Sequence, residues 1–506
     1  MPLSEDTLYK LRMAGCGLAL GLSAPGFGFW KLAWLALIPA LYWSLRQKSL
    51  KTVFWGGILL GFAFQGLYCL WFFDLHPLTW LGFDEVGSRL VTLAGWLLIA
   101  TEGGLLTGLL FALYRKLPSP WGRLFLFPAL WVLVFSLLNC TPMALPWGLL
   151  EYTQASLWPM RLLVGWISGS GLTVLLVLHN TAWSEYFRNS GNLLQTRWKF
   201  FLPVILPVIL GLIQQIPNPY HSTTPWPMPV AVAQADIPIE IIRSGQLNQN
   251  IIGPAYINPI QQMDLPPGTL LVYPEEGVAP GWTPTENPYA NPNLKALAVL
   301  ATQKKIYIAV GVSAIAPDNR RYNAIAVIPP NSAKPWLYYK RRLVPFGEFT
   351  PYGMEKPITE LLGRLGIEYS TPYDAGGESP VFKAGQARIG ALVCFELIDS
   401  APLTGGYAVQ YKRHGANLLI NASNLGWFHE NPLMEAQFLA IGQIRAAETR
   451  LPIVISSNTG ISAILSDRGD ILKRTYPQQV FQHKTQVIFY NGKQVTIHPQ
   501  SSAPTR

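Results

Sequence analysis

Cysteine is scarce in this chain, with 4 residues among 506, and charged residues make up only 13% of it. The cysteines stand at positions 16, 69, 140 and 394, so the second half of the chain holds a single thiol. A disulfide framework and a paired-cysteine metal site both need several cysteines, and both are excluded for that half. The seven histidines are scattered and no glycine-rich phosphate loop follows a predicted strand, so we expect neither a metal nor an organic cofactor.

The few charges are unevenly distributed. Residues 1–218 are rich in Leu, Trp, Phe and Gly, whereas charged residues and alternating strand-like patterns begin near residue 224. The formal net charge is +10, and the first 219 residues contribute 14 Lys and Arg against 8 Asp and Glu, mostly in short loops between apolar runs. This distribution indicates membrane topology and not a nucleic-acid-binding surface, so we expect no nucleic acid partner.

Seven apolar runs in the first half predict membrane spans, two of them short for a bilayer. They cover residues 11–30, 32–45, 53–73, 90–113, 124–138, 162–183 and 200–216. Basic residues favour alternate loops, with 11 on one side and 3 on the other. By the positive-inside rule, the N-terminus lies inside and the second half lies outside. The first run lacks the cleavage site of a signal peptide, so we expect it to remain as an anchor.

The second half alternates short β-rich runs with helical segments. Candidate strands lie at 230–234, 270–273, 306–312, 324–328, 337–339, 389–393, 418–421, 453–456, 461–465 and 487–490. Helical spacing of apolar residues predicts helices at 293–305 and 434–450. This interleaving predicts an α/β layered domain. We therefore divide the chain into a seven-span transmembrane domain at 1–220, an α/β domain at 225–492 and a polar tail at 493–506.

Three predicted strands end in polar residues of complementary chemistry. Glu275 follows the strand at 270–273, Lys340 follows the strand at 337–339 and Cys394 follows the strand at 389–393. A free cysteine is most often a small buried hydrophobe. Taken alone, Cys394 would therefore more often be a packing residue than a nucleophile. The accompanying acid and cation favour a nucleophile instead.

These residue types together make an acyl-transfer site. A thiol is mostly protonated at neutral pH, so a glutamate that accepts its proton, or a lysine that stabilises the thiolate, increases its reactivity. The Lys340 ammonium can also stabilise the oxyanion of a tetrahedral intermediate, together with a backbone N–H such as that of Phe395. The residue set thus predicts acyl-thioester chemistry on Cys394.

The order of these residues resembles the nitrilase (carbon–nitrogen hydrolase) superfamily and, more narrowly, the apolipoprotein N-acyltransferases. The specific element is the string Lys-x-x-Leu-Val-Pro-Phe-Gly-Glu, which runs from Lys340 to Glu348. The first half also carries strings similar to those of the acyltransferases, among them Pro146-Trp147-Gly148. The resemblance covers nearly the whole chain. It implies a polytopic α-helical membrane domain followed by a nitrilase-like α-β-β-α sandwich domain that is catalytic.

The resemblance also implies the role of each site residue. Glu275 would be the general base, Lys340 the oxyanion stabiliser and Cys394 the nucleophile. Glu348 and Glu396 match two further acidic positions that support the site in this family.

The identity of the general base stays open between two adjacent glutamates. Relatives usually place a proline four residues after the catalytic glutamate, and Pro280 lies five residues after Glu275 but four after Glu276. Glu275 keeps the Pro-Glu junction of the family, and we favour it for that reason. Family members often end with a further membrane span, and the polar tail at 493–506 predicts that this chain lacks it.

As implied by the resemblance, the protein would transfer an acyl chain from a membrane phospholipid to the N-terminal S-diacylglyceryl cysteine of an apolipoprotein. It would lie in the bacterial inner membrane with its catalytic domain on the periplasmic side. We expect a monomer, because membrane anchoring blocks the surfaces through which soluble relatives associate. Two alternatives are a membrane-anchored nitrilase-type amidase and a non-catalytic lipid-binding scaffold.

Overall fold

The structure is a computed structural model of the 506-residue chain. It describes residues 3–189, 201–219, 226–243, 249–277, 279–282, 288–331, 334–364, 373–378, 380–400, 406–475, 486–490 and 495–499.

The first half is helical. Within its described residues, helices α1 to α7 are Glu5–Gly21, Leu37–Ser44, Leu50–Tyr68, Glu85–Lys116, Pro120–Asn139, Trp158–Asn189 and Leu202–Ile213. The four helices α3 to α6 are long and apolar enough to cross a membrane. Three of them begin at a capping side chain, since Ser49, Asp84 and Ser119 each accept a hydrogen bond from a backbone N–H of the first turn.

Each of the seven predicted spans overlaps one of these helices, but the bounds and lengths differ from the prediction. Helices α1, α2 and α7 have 17, 8 and 12 residues. At 1.5 Å per residue, α2 covers only about 12 Å of a bilayer core of about 30 Å. Helix α1 ends at Gly21, well before residue 30, and Gly26 and Gly28 then turn the chain with φ angles of 102° and 83°. The number of seven spans therefore stays a prediction.

The second half contains two β-sheets. Strands β1 to β14 are Val230–Gln234, Leu270–Val272, Ala279–Trp282, Tyr307–Ile315, Arg321–Ile328, Trp336–Tyr339, Val381–Ala384, Ala387–Val393, Leu418–Ser423, Ile453–Ser457, Ala463–Leu465, Ile471–Arg474, Gln486–Tyr490 and Val495–Pro499. The first sheet has the order β14-β13-β1-β2-β4-β5-β6, with β3 paired to β4. The second sheet has the order β12-β11-β10-β9-β8-β7. The helices of this half, α8 to α14, are Ile239–Arg243, Gln249–Ile252, Asn258–Gln261, Pro292–Lys304, Glu355–Gly363, Tyr407–Arg413 and Pro432–Thr449.

The side chains of strand β1 show how the layers form. Val230 and Val232 belong to the core between the two sheets, whereas Ala231 and Ala233 pack with the helices on the opposite face. Helices α9 to α11 cover the first sheet, and α13 and α14 cover the second. The layers therefore follow the order helix, sheet, sheet, helix.

All ten candidate strands correspond to strands of the structure, but the sequence reading missed four more. β3 contains Pro and Gly, and the short edge strands β7 and β12 expose part of their residues, so their apolar pattern is weak. The fourth is β14. Val495–Pro499 pairs with β13 in antiparallel register, so the sheet extends into the segment that was assigned to a polar tail at 493–506.

Helix α14 joins the two halves of the chain. Its Gln437 is fully buried and accepts hydrogen bonds from the indole Nε1 atoms of Trp71, at 2.9 Å, and Trp147, at 2.5 Å. The Gln437 amide also donates to the backbone oxygen of Tyr68 at 2.8 Å. The apolar core is continuous across this contact. The helical half is thus fixed against the helix that packs beside the turn at Cys394.

Candidate active site

The first sheet brings Glu275 and Lys340 together. Glu275 lies three residues past β2, and Lys340 directly follows β6. Strands β4 and β5 lie between β2 and β6, and the Lys340 N–H donates to the backbone oxygen of Asn323 on β5 at 2.8 Å. The ends of β2 and β6 that carry Glu275 and Lys340 therefore lie at the same edge of the sheet.

Lys340 is buried between two carboxylates. Its ammonium donates to Glu348 at 2.9 Å and to Glu275 at 3.2 Å, and the residue is only 1% exposed. Glu348 is held in turn by the backbone N–H of Val344 at 2.8 Å. The turn within the Lys340 to Glu348 string therefore brings both ends of that string together in one ion pair.

Asn323 is a site residue that the sequence reading missed. Its Nδ2 atom lies 2.7 Å from Glu275 and 2.8 Å from Glu348, and the residue is 1% exposed. The amide therefore bridges the two carboxylates that surround Lys340. The available signal was an asparagine directly before the predicted strand at 324–328, whose five residues are all apolar.

Cys394 comes from the second sheet. It follows β8 and begins the 3-10 turn Cys394–Ile398, with a φ angle of 45°. This left-handed conformation is unfavourable for a side chain other than glycine and is held by neighbours, among them Asn421, whose amide donates to the Cys394 backbone oxygen at 3.2 Å. Cys394 as a whole residue is partly exposed and packs against the apolar core.

The charges of the first sheet act on the Cys394 thiol. Burial raises the pKa of Cys394, the Glu275 carboxylate raises it further, and Lys340 opposes both. Burial also raises the pKa of Glu275, against the opposing effect of Lys340. For Lys340 itself, burial lowers the pKa, but the carboxylates of Glu275 and Glu348 outweigh burial and hold that pKa well above its ordinary value. The arrangement thus combines a protonated thiol, a carboxylate with increased basicity and a permanent cation.

Glu396 links the nucleophile turn to the segment after Lys340. The carboxylate is fully buried and accepts hydrogen bonds from the hydroxyl of Tyr338 at 2.6 Å and from the backbone N–H groups of Arg341 at 2.7 Å and Val393 at 2.8 Å. Burial raises its pKa, and these hydrogen bonds oppose the shift. Phe395, the remaining predicted site residue, has a buried side chain.

Glu276 occupies a different environment from Glu275. Its carboxylate accepts a hydrogen bond from the hydroxyl of Tyr373, and its backbone has a φ angle of 51°. The ion pairs of Lys340 are with Glu275 and Glu348. The structure therefore brings Glu275, Lys340 and Glu348 together, with charges that act on the Cys394 thiol, whereas Glu276 contacts a different partner.

Two family models match the chain. The apolipoprotein N-acyltransferase N-terminal domain matches residues 16–182, and the carbon-nitrogen hydrolase model matches residues 231–482. Similar proteins include the apolipoprotein N-acyltransferase of Gloeobacter violaceus, which is 27% identical over 91% of this chain and 84% of its own length. The enzyme of the same name from Nostoc sp. is 25% identical over 93% of both chains.

Solved structures are similar to about half of the chain. Glutamine-dependent NAD+ synthetase from Acinetobacter baumannii has a TM-score of 0.35 and 17% identity, and the match covers 55% of this chain and 48% of that one. Saccharomyces cerevisiae Nit3, of the nitrilase superfamily, has a TM-score of 0.34 and 15% identity over 52% and 90% of the two chains. The predicted fold class, a helical half followed by a nitrilase-like α/β sandwich, is confirmed by the family models and the observed layers.

Proposed function

Because this chain belongs to the apolipoprotein N-acyltransferase family, we propose that it uses a membrane phospholipid as acyl donor and Cys394 as the residue that carries the acyl chain. The protein is an acyltransferase, and lipoprotein N-acylation in a membrane is the activity common to the relatives named above. The donor, the covalent intermediate and the acceptor atom are the parts that we propose here.

In the first half-reaction, Glu275 accepts the thiol proton while the Cys394 sulfur attacks an ester carbonyl of the phospholipid. The Lys340 ammonium and the Phe395 backbone N–H stabilise the oxyanion of the tetrahedral intermediate. The bond between the acyl carbon and the alkoxy oxygen of the ester then breaks. The proton held by Glu275 passes to this departing alkoxide. A thioester on Cys394 and a lysophospholipid result.

In the second half-reaction, the α-amino group of an N-terminal S-diacylglyceryl cysteine attacks the thioester. Glu275 accepts a proton from the attacking nitrogen, the carbon–sulfur bond breaks, and the proton returns to the Cys394 sulfur. The product is an amide on the lipoprotein, and the enzyme is restored. Glu348 positions Lys340, from which it accepts a hydrogen bond, and Asn323 positions Glu275 and Glu348, because its amide donates to both carboxylates.

The observation that carries this proposal is the buried Lys340 between Glu275 and Glu348, whose charges reach the strained Cys394 turn. A buried lysine paired in this way keeps its charge and is fixed in position, as an oxyanion-stabilising group must be. The membrane helices add support, since they hold the site beside a bilayer that contains both proposed substrates.

The proposal is tested with purified protein, a phospholipid that carries a labelled acyl chain, and a diacylglyceryl peptide. Wild type should bind label through a thioester and pass it to the peptide amine. Cys394→Ser should form no thioester, and Lys340→Ala should slow acylation by about 100-fold or more. The exposed Lys383 on β7 provides a matched control, and Lys383→Ala should keep the wild-type rate.

Two results would contradict the proposal. Label that reaches Cys394 but passes only to water indicates a hydrolase of the amidase type. A complete lack of label in wild type indicates a lipid-binding protein without catalysis.

A further inference from the structure

A cleft of about 330 Å³ lies where the helical half meets the α/β half. One wall comes from the segment after α5 and the other from the residues after Lys340 and from α13. The polar side chains of these walls include Asn139, Cys140, Thr141, Arg341, Arg342 and Tyr407.

The lining of the cleft is basic, and Asp399 pairs with one of its two arginines. Two arginines contribute to its lining, and no carboxylate does so among the described residues. The Arg342 guanidinium is fixed by Asp399 at 2.6 Å and by the backbone oxygen of Asn139 at 3.2 Å. The Arg341 guanidinium lies 4.4 Å from the ring centroid of Tyr407. Guanidinium groups held in this way match phosphate oxygens, because each presents several N–H donors in a rigid plane.

The two arginines are tied directly to the nucleophile turn. Glu396 accepts hydrogen bonds from the backbone N–H of Arg341 and, through its other oxygen, from that of Val393, the residue before Cys394. The Arg342 guanidinium also lies 5.8 Å from the ring centroid of Phe395, the residue after Cys394. A ligand bound by these arginines is therefore adjacent to the turn that carries the thiol.

The cleft also lies at the end of helix α5. Helix α5 ends at Asn139, so the lining residues Asn139 to Thr141 mark the end of an apolar helix that is long enough to cross the bilayer. Below them on the same helix, Leu133 and Leu137 are 41% and 55% exposed. Acyl chains of a lipid whose headgroup occupies the cleft can therefore extend along α5.

We propose that this cleft binds the phosphate group of the phospholipid acyl donor and so places an ester carbonyl of that lipid at Cys394. In a glycerophospholipid the acyl ester and the phosphate are separated by only a few bonds, which agrees with the adjacency of the arginines to the nucleophile turn. This inference rests on the proposed function, because it assigns the donor of that reaction to a part of the site.

The test compares two donors with identical acyl chains, a phospholipid and a diacylglycerol, in the acylation of Cys394. Arg341→Gln should raise the KM for the phospholipid about tenfold, as expected for the loss of one charge-assisted contact, and leave the KM for the diacylglycerol unchanged. Arg342→Lys keeps a cation beside Asp399 but loses the planar guanidinium group. It should therefore also raise the KM for the phospholipid, without unfolding the protein. Arg388 is an exposed arginine on β8, and Arg388→Gln is the matched control.

The outcomes separate this inference from the proposed function. If wild type is not acylated by either donor, the proposed function fails. If wild type is acylated by the phospholipid but Arg341→Gln and Arg342→Lys behave like Arg388→Gln, only the phosphate site is wrong. A change restricted to the KM of the acceptor peptide would assign the cleft to the acceptor and would also overturn the inference.

Cys140 gives a second measurement that does not depend on catalysis. It lines the cleft and is exposed, whereas Cys16 and Cys69 are buried, so a thiol reagent added to Cys394→Ser protein should label mainly Cys140. Phospholipid should slow this labelling at least severalfold, and diacylglycerol should not. Protection by inorganic phosphate together with an unchanged phospholipid KM in Arg341→Gln would indicate a site for free phosphate and would contradict the assignment.

Discussion

At the scale of single residues, the site depends on charges that are buried together. Lys340 lies between Glu275 and Glu348, and removing either carboxylate from such a cluster would leave a buried cation with one partner fewer. The Cys394 thiol has a raised pKa, chiefly because of burial, so it remains protonated at neutral pH and needs a base. Glu275 suits that role, because burial raises its own pKa as well.

The choice between the two adjacent glutamates gives a sharp prediction. Glu275→Gln should slow the acylation of Cys394 by about 100-fold or more, since the general base is lost while the shape is kept. Glu276→Gln removes the same charge one residue away, where the partner is Tyr373, and should retain most of the wild-type rate. The measurement is the initial rate of thioester formation with labelled phospholipid.

The same rate should depend on pH in a defined direction. A protonated carboxyl cannot accept the thiol proton, so acylation should fall as the pH falls through the raised pKa of Glu275.

Equal losses of acylation rate in Glu275→Gln and Glu276→Gln, or a larger loss in Glu276→Gln, would contradict the assignment of Glu275 as the base.

At the scale of secondary structure elements, helix α14 is the connection between the bilayer helices and the catalytic turn. Its Gln437 makes three hydrogen bonds to the helical half, and Phe428, just before the helix, lies 5.0 Å from the ring of Trp71. Helix α14 also packs beside the 3-10 turn Cys394–Ile398. A displacement of α14 is therefore expected to disturb both the hydrogen bonds of Gln437 with the helical half and the turn that carries Cys394.

Gln437→Leu should destabilise the protein by about 2–4 kcal/mol, because two buried indole N–H groups and one backbone oxygen lose their partner. The control is Gln443→Leu on the same helix. Gln443 donates one hydrogen bond, to Gly469, and that contact lies within the α/β half. The measurement is unfolding in detergent, and equal stabilities of the two variants would argue against a special role of Gln437.

At the scale of the whole molecule, the two halves are interlocked by buried charges as well as by apolar contacts. Arg161 of α6 donates to Asp470 at 2.5 Å, and Arg445 of α14 lies 3.8 Å from Glu151 of the helical half. Helix α6 is interrupted at Ser168, and the next residue, Gly169, donates its N–H to Glu448 of α14 at 3.0 Å. The catalytic half is thus set on the helices at several points and is not attached by a flexible tether alone.

The periplasmic position of the α/β half, proposed from the distribution of basic residues, predicts how the protein is labelled from outside. In intact spheroplasts that contain the Cys140→Ser, Cys394→Ser protein, so that the native thiols that are not buried are removed, an impermeant thiol reagent should label Arg388→Cys at this exposed position. A cysteine introduced at the exposed Lys48, in a loop rich in basic residues, should react only after the membrane is permeabilised. The reverse pattern would place the catalytic half inside.

Sequence alone determined the features that depend on local patterns. Apolar runs predicted the helical half, alternation predicted ten strands, and the string from Lys340 to Glu348 predicted the family that the comparisons show. Tertiary structure decided the features that depend on sheet order and on contacts between distant segments. The bridging role of Asn323, the separate partners of Glu275 and Glu276, the strand β14 and the contacts of Gln437 all required it. The physical reason is that strand and helix periodicity depends on residues that are close in sequence. A buried polar cluster, in contrast, forms only where the ends of separate strands come together.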